Sequence, residues 1–446
     1  MIAATRSTVS RLRLALCLLI ALTGVAQAQS PESSAHRDPS ALHFYLITVD
    51  VGANVWDNFG HSALRVVDEL NNTDVVYNWG VFEVSGGPAT FATDFFLNQV
   101  NYRLATQSMS RELDNYRAQR RTVWQDKLNL TAAQKQRLLV RLRWNLVADN
   151  RYYDYHYFFD NCTTRIRDYL NEALDGRINA EVAGESGRLF RDEVRSHYAS
   201  IPPINLSLDI VMNGNVDREM SNWESLFLPL NLRSRLSTLD SDLQQNGEPL
   251  ALLELGEPLM AYPAPSALGS AYPSLSLGLW VLAAYLLLMI KRRRRAFSAT
   301  HAQLTLRAEG LNMRLLGLVT VFVSLVSGVF GSVMLVSWFA SGHLDLHHNL
   351  NLLVFWPTDL LVVIVALRWL ILSSPWPLSH NTKPFVVYYL LIKFLLAAVY
   401  CGIAWLGLST QDLGSLATAI VPSLFAFTLL GWLVGFDSAR RNDSIF

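Results

Sequence analysis

The chain has 446 residues, of which 51% are hydrophobic and only 17% are charged, and this is too apolar for an ordinary soluble protein. Its 37 basic residues balance 37 acidic ones, and no basic stripe with interleaved aromatic residues occurs outside the flanks of its apolar segments. The composition therefore predicts membrane-embedded segments and argues against nucleic acid as a partner.

Residues 1–28 have the pattern of a secretory signal peptide. A region with three arginines precedes the apolar run at residues 14–22, and residues 26–28 have the small-residue form of a cleavage site. The alternative, a retained membrane anchor, needs a longer apolar run. We therefore predict that the mature chain begins at Gln29 and that the part following it is exported.

The predicted exported domain covers residues 29–265. Three of its segments are apolar and β-prone, and the second and third flank a turn-rich stretch, which predicts strands with one hairpin; they are residues 44–49, 62–67 and 75–81. A helix is predicted next, because the run from Thr131 to Gln134 has the form of a capping box and leucines then recur at helical spacing.

A proline-rich stretch separates this domain from a predicted membrane domain at residues 266–446. Five charge-poor segments in the membrane domain each approach the roughly 20 residues that a bilayer needs. They are, approximately, residues 270–290, 315–339, 350–367, 385–408 and 416–436.

The charges between these segments predict their orientation. A basic run at residues 291–295 follows the first span and Arg440 and Arg441 follow the last, whereas the segments at 340–349 and 409–415 contain no Lys or Arg. Basic residues stay on the cytoplasmic side. We therefore predict a multi-pass protein of the bacterial inner membrane, with its exported domain on the periplasmic face and its C-terminus in the cytoplasm.

Two ionisable residues, Asp359 and Lys393, fall inside these apolar segments. A charge is costly within a bilayer, so each residue is a functional candidate. The alternative is that they pair with each other or extend to the membrane interface.

Cys162 is the one cysteine of the predicted mature exported domain, since Cys17 precedes the cleavage site and Cys401 lies in an apolar segment. A lone thiol in an oxidising compartment is either a reactive group or a buried, inert one. Apolar residues recur at helical spacing after Cys162, which predicts a helix that begins near it with Asp160 or Asn161 as the N-cap.

A helix start favours a nucleophilic thiolate. It lowers a thiol pKa from about 8.5 to roughly 3.5–7.5, and its free N–H groups can stabilise an oxyanion. A thiolate nucleophile also needs a histidine as its base. Among the exported histidines we favour His61, because Gly60 precedes it at the start of a predicted strand. An inert thiol and an ordinary structural histidine remain the alternatives.

No metal or other cofactor is expected. Four potential ligands cluster between the second and third spans, namely His343, Asp345, His347 and His348, but their spacing matches no zinc signature and a polar interfacial loop is favoured. Phosphate-binding glycine loops, Gly-x-Ser-x-Gly elbows and His-Glu-x-x-His helices do not occur in the sequence.

Over nearly all of residues 41–436, the chain resembles the Lnb-type lipoprotein intramolecular transacylases and their relatives. The matching motifs occur in order along the chain: FGH at residues 59–61, VYNWG at 76–80, NY at 101–102, DNCTTR at 160–165 and NLNLL at 349–353. The exported domain of that family is similar to circularly permuted papain-like folds, including NlpC-type peptidases and lecithin:retinol acyltransferases. The resemblance implies an α+β, permuted papain-like domain followed by an all-α membrane bundle.

The resemblance also implies roles for individual residues. Cys162 would be the nucleophile and His61 its base, while Asn78 on the neighbouring strand would orient the imidazole. Asn161, next to the nucleophile in its motif, completes the expected catalytic set. The candidate substrate-binding residues are Asp160, Tyr157 and Arg165, and Arg165 could instead pair with Asp168.

The implied reaction is an acyl transfer within a lipoprotein. The thiolate would take an acyl chain from the diacylglyceryl group, and the N-terminal amine would receive it. The expected partners are therefore the membrane and a lipoprotein or membrane lipid. Two other functions stay open: an envelope cysteine peptidase or amidase using the same pair, and an inactive membrane-bound binding or scaffold protein.

Overall fold

The computed structural model describes residues 41–82, 88–298, 302–373 and 383–442, so the predicted signal peptide lies outside the described residues. The strands are, in chain order, β1 (Leu42–Val49), β2 (His61–Asp68), β3 (Thr73–Val81), β4 (Tyr102–Gln107), β5 (Val123–Leu128), β6 (Tyr152–Tyr153), β7 (Glu185–Leu189), β8 (Glu219–Ser221), β9 (Asp240–Gln245), β10 (Glu248–Ala251), β11 (Leu253–Glu254) and β12 (Pro258–Met260).

Helices occur throughout the N-terminal part and account for most of the C-terminal part. They are α1 (Pro88–Phe96), α2 (Met109–Gln119), α3 (Ala132–Leu146), α4 (Ala148–Arg151), α5 (Cys162–Ala173), α6 (Arg177–Glu181), α7 (Phe190–His197), α8 (Pro202–Val211), α9 (Asn222–Ser225), α10 (Pro229–Ser237), α11 (Tyr272–Ser298), α12 (Ala302–Ala340), α13 (Asp359–Leu372), α14 (Lys383–Trp405) and α15 (Gly414–Asn442).

An antiparallel sheet organises the N-terminal domain. Within the described residues it has eight strands in the order β11-β5-β1-β2-β3-β4-β6, with β12 also paired to β5. The three predicted strands are β1, β2 and β3, and the predicted turn between β2 and β3 contains Asn72 in a left-handed conformation. The predicted capping box of α3 is confirmed, since the side chains of Thr131 and Gln134 each bond the other residue's backbone N–H.

The two faces of this sheet are covered by different helices. Alternate side chains of a strand point to opposite faces. On one face, Ala63 and Val76 form a core with Met109 and Tyr116 of α2. On the other face, Trp79 packs edge-on against Tyr169 of α5. The sheet therefore lies between α2 and α5, and the predicted α+β class of this domain is confirmed. Its assignment to the permuted papain-like fold stays a prediction.

The C-terminal region is helical and apolar. Among the described residues, three helical segments are long and apolar enough to cross a membrane: Tyr272–Lys291, Leu311–Ala340 and Tyr388–Trp405. They coincide with three of the predicted spans. A shorter apolar segment, Gly414–Leu430, forms the start of α15. These observations support a membrane protein, while the domain boundary at residue 265 and the total of five spans stay predictions.

The predicted span at 350–367 is wrong as a continuous helix. A short 3-10 helix covers Leu350–Leu353, and α13 begins only at Asp359. The irregular backbone between Leu350 and Asp359 contacts other parts of the protein on two sides. The Asn351 amide donates to the carbonyl of Ile210 and its oxygen accepts from Tyr400, while Gly331 of α12 allows the backbone before α13 to approach closely. Irregular backbone at membrane depth is tolerated where protein surrounds it.

The N-terminal domain packs directly against the apolar helices. Ile210 of α8 belongs to a buried cluster with Met334 of α12, Ala397 of α14 and Leu416 of α15. Polar contacts reinforce this packing, because Asn349 also donates to the Ile210 carbonyl. The thiol-bearing domain is therefore fixed to the apolar helices by a shared core.

Candidate active site

His61 begins β2 directly after a backbone turn that requires glycine. Gly60 has φ +78°, and a Cβ at this position would lie 2.8 Å from the carbonyl oxygen of Val49. Both the left-handed conformation and the close approach exclude a larger residue. Gly60 thus fixes where the imidazole leaves the sheet.

Cys162 is the first residue of α5, as predicted, and its side chain is buried with 9% exposed. The N-cap is Asn161, whose Oδ1 accepts hydrogen bonds from the N–H groups of Thr163 and Thr164. The Asn161 amide also donates to the carbonyls of Tyr157 and Phe227. This cap does not use the N–H of Cys162. Asn161 therefore places the thiol at the positive end of the helix.

The thiol of Cys162 and the imidazole of His61 act on each other, and this interaction shifts the pKa of both groups. Burial alone would raise the pKa of the thiol, but the charge of His61 and the interaction with its side chain outweigh burial and lower the pKa to about 7. Burial alone would likewise lower the pKa of His61, but the charge of Cys162 raises it to about 9. Between these values the pair favours a thiolate beside an imidazolium.

Asn78 contacts the imidazole of His61 at its Nε2 atom. It pairs with Ala63 in the β2–β3 register, and residues two apart on a strand share a face, so His61 lies diagonally beside Asn78. The distance between His61 Nε2 and Asn78 Oδ1 is 2.9 Å. Because this contact uses Nε2, Nδ1 is the ring nitrogen that remains available to the thiol. The structure therefore brings three of the predicted site residues into one chain of interacting side chains.

Glu112, on α2, extends this chain by one residue that the sequence analysis missed. The side-chain amides of Asn78 and Gln107 both donate to Glu112 Oε1, and Glu112 is 2% exposed. The charge of this carboxylate acts with burial to raise the pKa of Tyr116, one turn later on α2, well above its usual value. In the sequence Glu112 is an acid in the first turn of a helix, a position where acids are common for a local reason. Nothing in the sequence therefore distinguishes Glu112 from an acid that only stabilises the helix start.

Aromatic side chains surround the thiol. Burial raises the pKa values of Tyr153 and Tyr155 well above the usual value, and the charge of Cys162 acts in the same direction. Tyr155 stacks on Tyr102 with 4.3 Å between the ring centroids. The buried hydroxyl of Tyr153 interacts weakly with the N–H of Gly80, and its own proton has no acceptor of normal geometry among the described residues.

The three predicted substrate-binding residues already have partners. Arg165 forms a two-pronged ion pair with Asp160 and stacks on the ring of Tyr153. The alternative pairing with Asp168 is wrong, since Asp168 accepts from Arg167 instead.

Tyr157, the third of them, donates its hydroxyl proton to Asp345 Oδ2 over 2.8 Å. Asp345 lies in the segment between α12 and α13, so this contact joins the thiol domain to the helical region. Substrate-binding roles for these three residues stay predictions.

The histidines considered for a metal site make contacts with the backbone. His343 Nε2 lies 2.8 Å from the carbonyl of Phe95, and His347 Nε2 lies 3.0 Å from that of Ser341. Among the described residues, no group of three His, Cys, Asp or Glu side chains is arranged to hold a metal ion. The segment instead joins the thiol domain to the helices.

In a comparison with protein families, residues 29–196 match the family model described as the Lnb N-terminal periplasmic domain. The match includes His61, Asn78, Glu112 and Cys162, and it agrees with the predicted periplasmic position of this domain. Comparison with curated proteins and with solved structures gives no match.

Proposed function

Since the chain belongs to the Lnb-type family, we propose that it is a membrane-anchored cysteine acyltransferase that acts on acyl esters of lipoproteins or membrane lipids. The observation that carries the proposal is the position of Cys162 as the first residue of α5, beside His61, whose imidazole is held by Asn78 at 2.9 Å. The charge of His61 outweighs burial and lowers the thiol pKa to about 7. A thiolate beside an imidazolium is the reactive form of a covalent thiol catalyst.

In the first half-reaction the Cys162 thiolate attacks the carbonyl carbon of the acyl ester. The carbon–sulfur bond forms and the carbonyl oxygen becomes an oxyanion. When the oxyanion collapses, the bond to the glyceryl oxygen breaks and the His61 imidazolium gives that oxygen its proton. The products are an acyl thioester on Cys162 and a free hydroxyl on the lipid.

In the second half-reaction the neutral N-terminal amine of the lipoprotein attacks the thioester carbonyl. His61, now neutral, takes a proton from the attacking nitrogen. The carbon–sulfur bond breaks, and the thiolate and the imidazolium are regenerated. The acyl chain ends in an amide, which is more stable than the starting ester.

Two donors are available for the oxyanion. The N–H of Cys162 lies at the start of α5 and is not used by the Asn161 cap. The Tyr153 hydroxyl is buried next to the charge of Cys162, and its proton lacks an acceptor of normal geometry in the described part of the chain. Donors fixed in place before the reaction stabilise developing charge at little cost in reorganisation.

The attachment of the domain to the helices favours a lipid-linked substrate. Because Ile210 shares a core with the apolar helices, the domain stays close to the surface where acyl chains are held. Holding catalyst and substrate together raises their effective concentration. The aromatic side chains around Cys162 would also limit access of water and favour transfer over hydrolysis.

The test is mass spectrometry of a diacylated lipoprotein incubated with the full-length protein in membranes. We expect one acyl chain to move from the glyceryl group to the N-terminal amine, and both Cys162→Ala and His61→Ala to abolish the transfer. Cys401→Ala is the matched control, because that thiol lies in α14 against the carbonyl of Ala417.

The possible outcomes separate the alternatives. No acyl transfer with any variant, together with cleavage of an amide substrate that depends on Cys162, would replace the proposal with a peptidase or amidase. No reaction on either substrate, with a Cys162 that resists alkylation in the folded protein, would favour the binding or scaffold protein.

A further inference from the structure

We infer that Glu112 is a positioning residue for the thiol site, and that it fixes the amide of Asn78 so that the amide oxygen faces His61. The inference rests on the proposed function in one respect only, namely that Cys162 and His61 are the working pair. It adds a fourth residue, one with no direct contact to the reacting atoms.

The hydrogen bonds of Glu112 define the orientation of the Asn78 amide. An ionised carboxylate only accepts hydrogen bonds. Asn78 therefore has to turn its NH2 group toward Glu112 Oε1, where Gln107 also donates. Its oxygen is left to face Nε2 of His61, at 2.9 Å. An amide without such a neighbour can adopt two orientations of nearly equal shape.

The amide orientation determines which imidazole nitrogen carries the proton. When the Asn78 oxygen faces Nε2, that nitrogen must be the donor, so Nδ1 is free to accept the proton of the Cys162 thiol. If the amide turned over, its NH2 group would face Nε2, which would then have to be unprotonated. The proton would lie on Nδ1, and the imidazole could no longer take the thiol proton.

Arg121 is a charged group that opposes the imidazolium of His61. The charge of Cys162 outweighs burial and raises the pKa of His61 to about 9, and Arg121 acts in the opposite direction as the smallest of these influences. Arg121 forms an ion pair with Asp57 at 3.1 Å, and its guanidinium lies 5.7 Å from the ring centre of Tyr116. The other titratable side chains that act on the thiol site are Tyr116, Tyr153 and Tyr155. Glu112 acts on the site through the hydrogen bonds that it accepts from Asn78 and Gln107.

The alternative is that Glu112 only anchors α2 to the sheet. Glu112→Gln separates the two roles, because it keeps the shape of the side chain while allowing the Asn78 amide to turn. The readout is the pH dependence of Cys162 alkylation by iodoacetamide in the full-length protein, with Cys401→Ala as the background. We expect the midpoint to rise from about 7 by one pH unit or more, which is about a tenfold slower alkylation at pH 6.

A double variant distinguishes a lost amide orientation from misfolding. Asn78→Asp combined with Glu112→Gln exchanges the two groups, so that a carboxylate accepts from His61 and an amide donates to that carboxylate. Net charge, shape and the number of hydrogen bonds are conserved. We expect the double variant to restore a midpoint at or below about 7. Restoration shows that the order of donors and acceptors matters, which an anchoring role does not require.

A matched control removes a buried carboxylate elsewhere. Asp126, on β5, is 0% exposed and pairs with Arg233 of α10, so Asp126→Asn perturbs the fold without touching the thiol site. We expect its alkylation midpoint to equal that of the unsubstituted protein. An unchanged midpoint in folded Glu112→Gln, or an equal rise in Asp126→Asn, would overturn the inference.

The readout also separates this inference from the proposed function. Alkylation needs no acyl substrate, so a midpoint that depends on Glu112 supports the positioning role even if no acyl transfer is detected. Conversely, acyl transfer that needs Cys162 and His61 but occurs with an unchanged thiol midpoint in Glu112→Gln keeps the function and removes the positioning role.

Discussion

Arg191 is expected to hold the thiol domain against the membrane helices. Its guanidinium is 1% exposed and donates to Asp209 at 3.1 Å and to Asp217 at 2.5 Å. Asp209 also accepts from Tyr272 at the start of α11, and Asp217 accepts from the N–H of Asp412, just before α15. Both carboxylates therefore join the domain to segments that lead into apolar helices.

Arg191→Met removes the cation but keeps much of the side-chain volume. Breaking a buried ion pair from one side costs about 3–5 kcal/mol, because a buried charge is left without its counter-charge. Asp209 keeps Arg195 as a partner, whereas Asp217 keeps only the N–H of Asp412 among the residues that the structure describes. We therefore assign most of the loss to Asp217.

The assay is thermal unfolding of the full-length protein in detergent. For unfolding of a unit the size of the predicted exported domain, residues 29–265, each kcal/mol corresponds to about 2–4 °C, so the expected fall in the midpoint of that domain is roughly 6–20 °C. Arg117→Met is the control, since the Arg117–Asp114 pair is exposed and contributes at most about 0.5 kcal/mol. Equal midpoints for the Arg191 and Arg117 variants would refute the reasoning.

Three further predictions concern the site and the helices. The acyl-transfer rate should rise with pH through about 7, where Cys162 becomes a thiolate, and fall through about 9, where His61 loses the proton that it must give to the leaving group; a pH–rate profile checks this. Tyr153→Phe should lower the transfer rate at least tenfold, because it removes an oxyanion donor. It removes no charge, so the pH midpoint of Cys162 alkylation should not move; parallel kinetic and alkylation assays measure both effects. Asp359→Asn should destabilise the helices by about 3–5 kcal/mol, because it leaves Lys393, 2.7 Å away, without its counter-charge. Adding Lys393→Met should recover most of this loss, and thermal unfolding measures both variants.

The local parts of the site could be predicted from the sequence. The start of α5 at Cys162 follows from the apolar spacing behind it and from Asn161 before it, both of which act within a few residues. The position of His61 at the start of β2 follows from Gly60 in the same way. These features depend on neighbours in the chain.

The parts of the site that spacing along the chain does not define depend on contacts between distant segments. The contact of Asn78 with His61 needs the register that pairs Ala63 with Asn78, which one sequence does not define. Glu112 reaches Asn78 only because α2 packs on that face of the sheet.

The helical region shows the same limit. Residues 350–367 are apolar enough for a span, but apolar composition carries no information on the backbone. The Asn351 side chain bonds the carbonyl of Ile210 in the thiol domain, and the helix begins only at Asp359. That contact joins residues 141 positions apart, which a window of about 20 residues cannot detect.

The central claim is that Cys162 carries the acyl chain. Its most direct test is to incubate the full-length protein with a diacylated lipopeptide whose N-terminal amine is acetylated, so that the second half-reaction cannot occur, and to measure the Cys162 peptide by mass spectrometry. We predict a hydroxylamine-sensitive increase by one acyl group on Cys162, lost in His61→Ala. An unmodified Cys162 peptide, from folded protein whose thiol still reacts with iodoacetamide, would contradict the account.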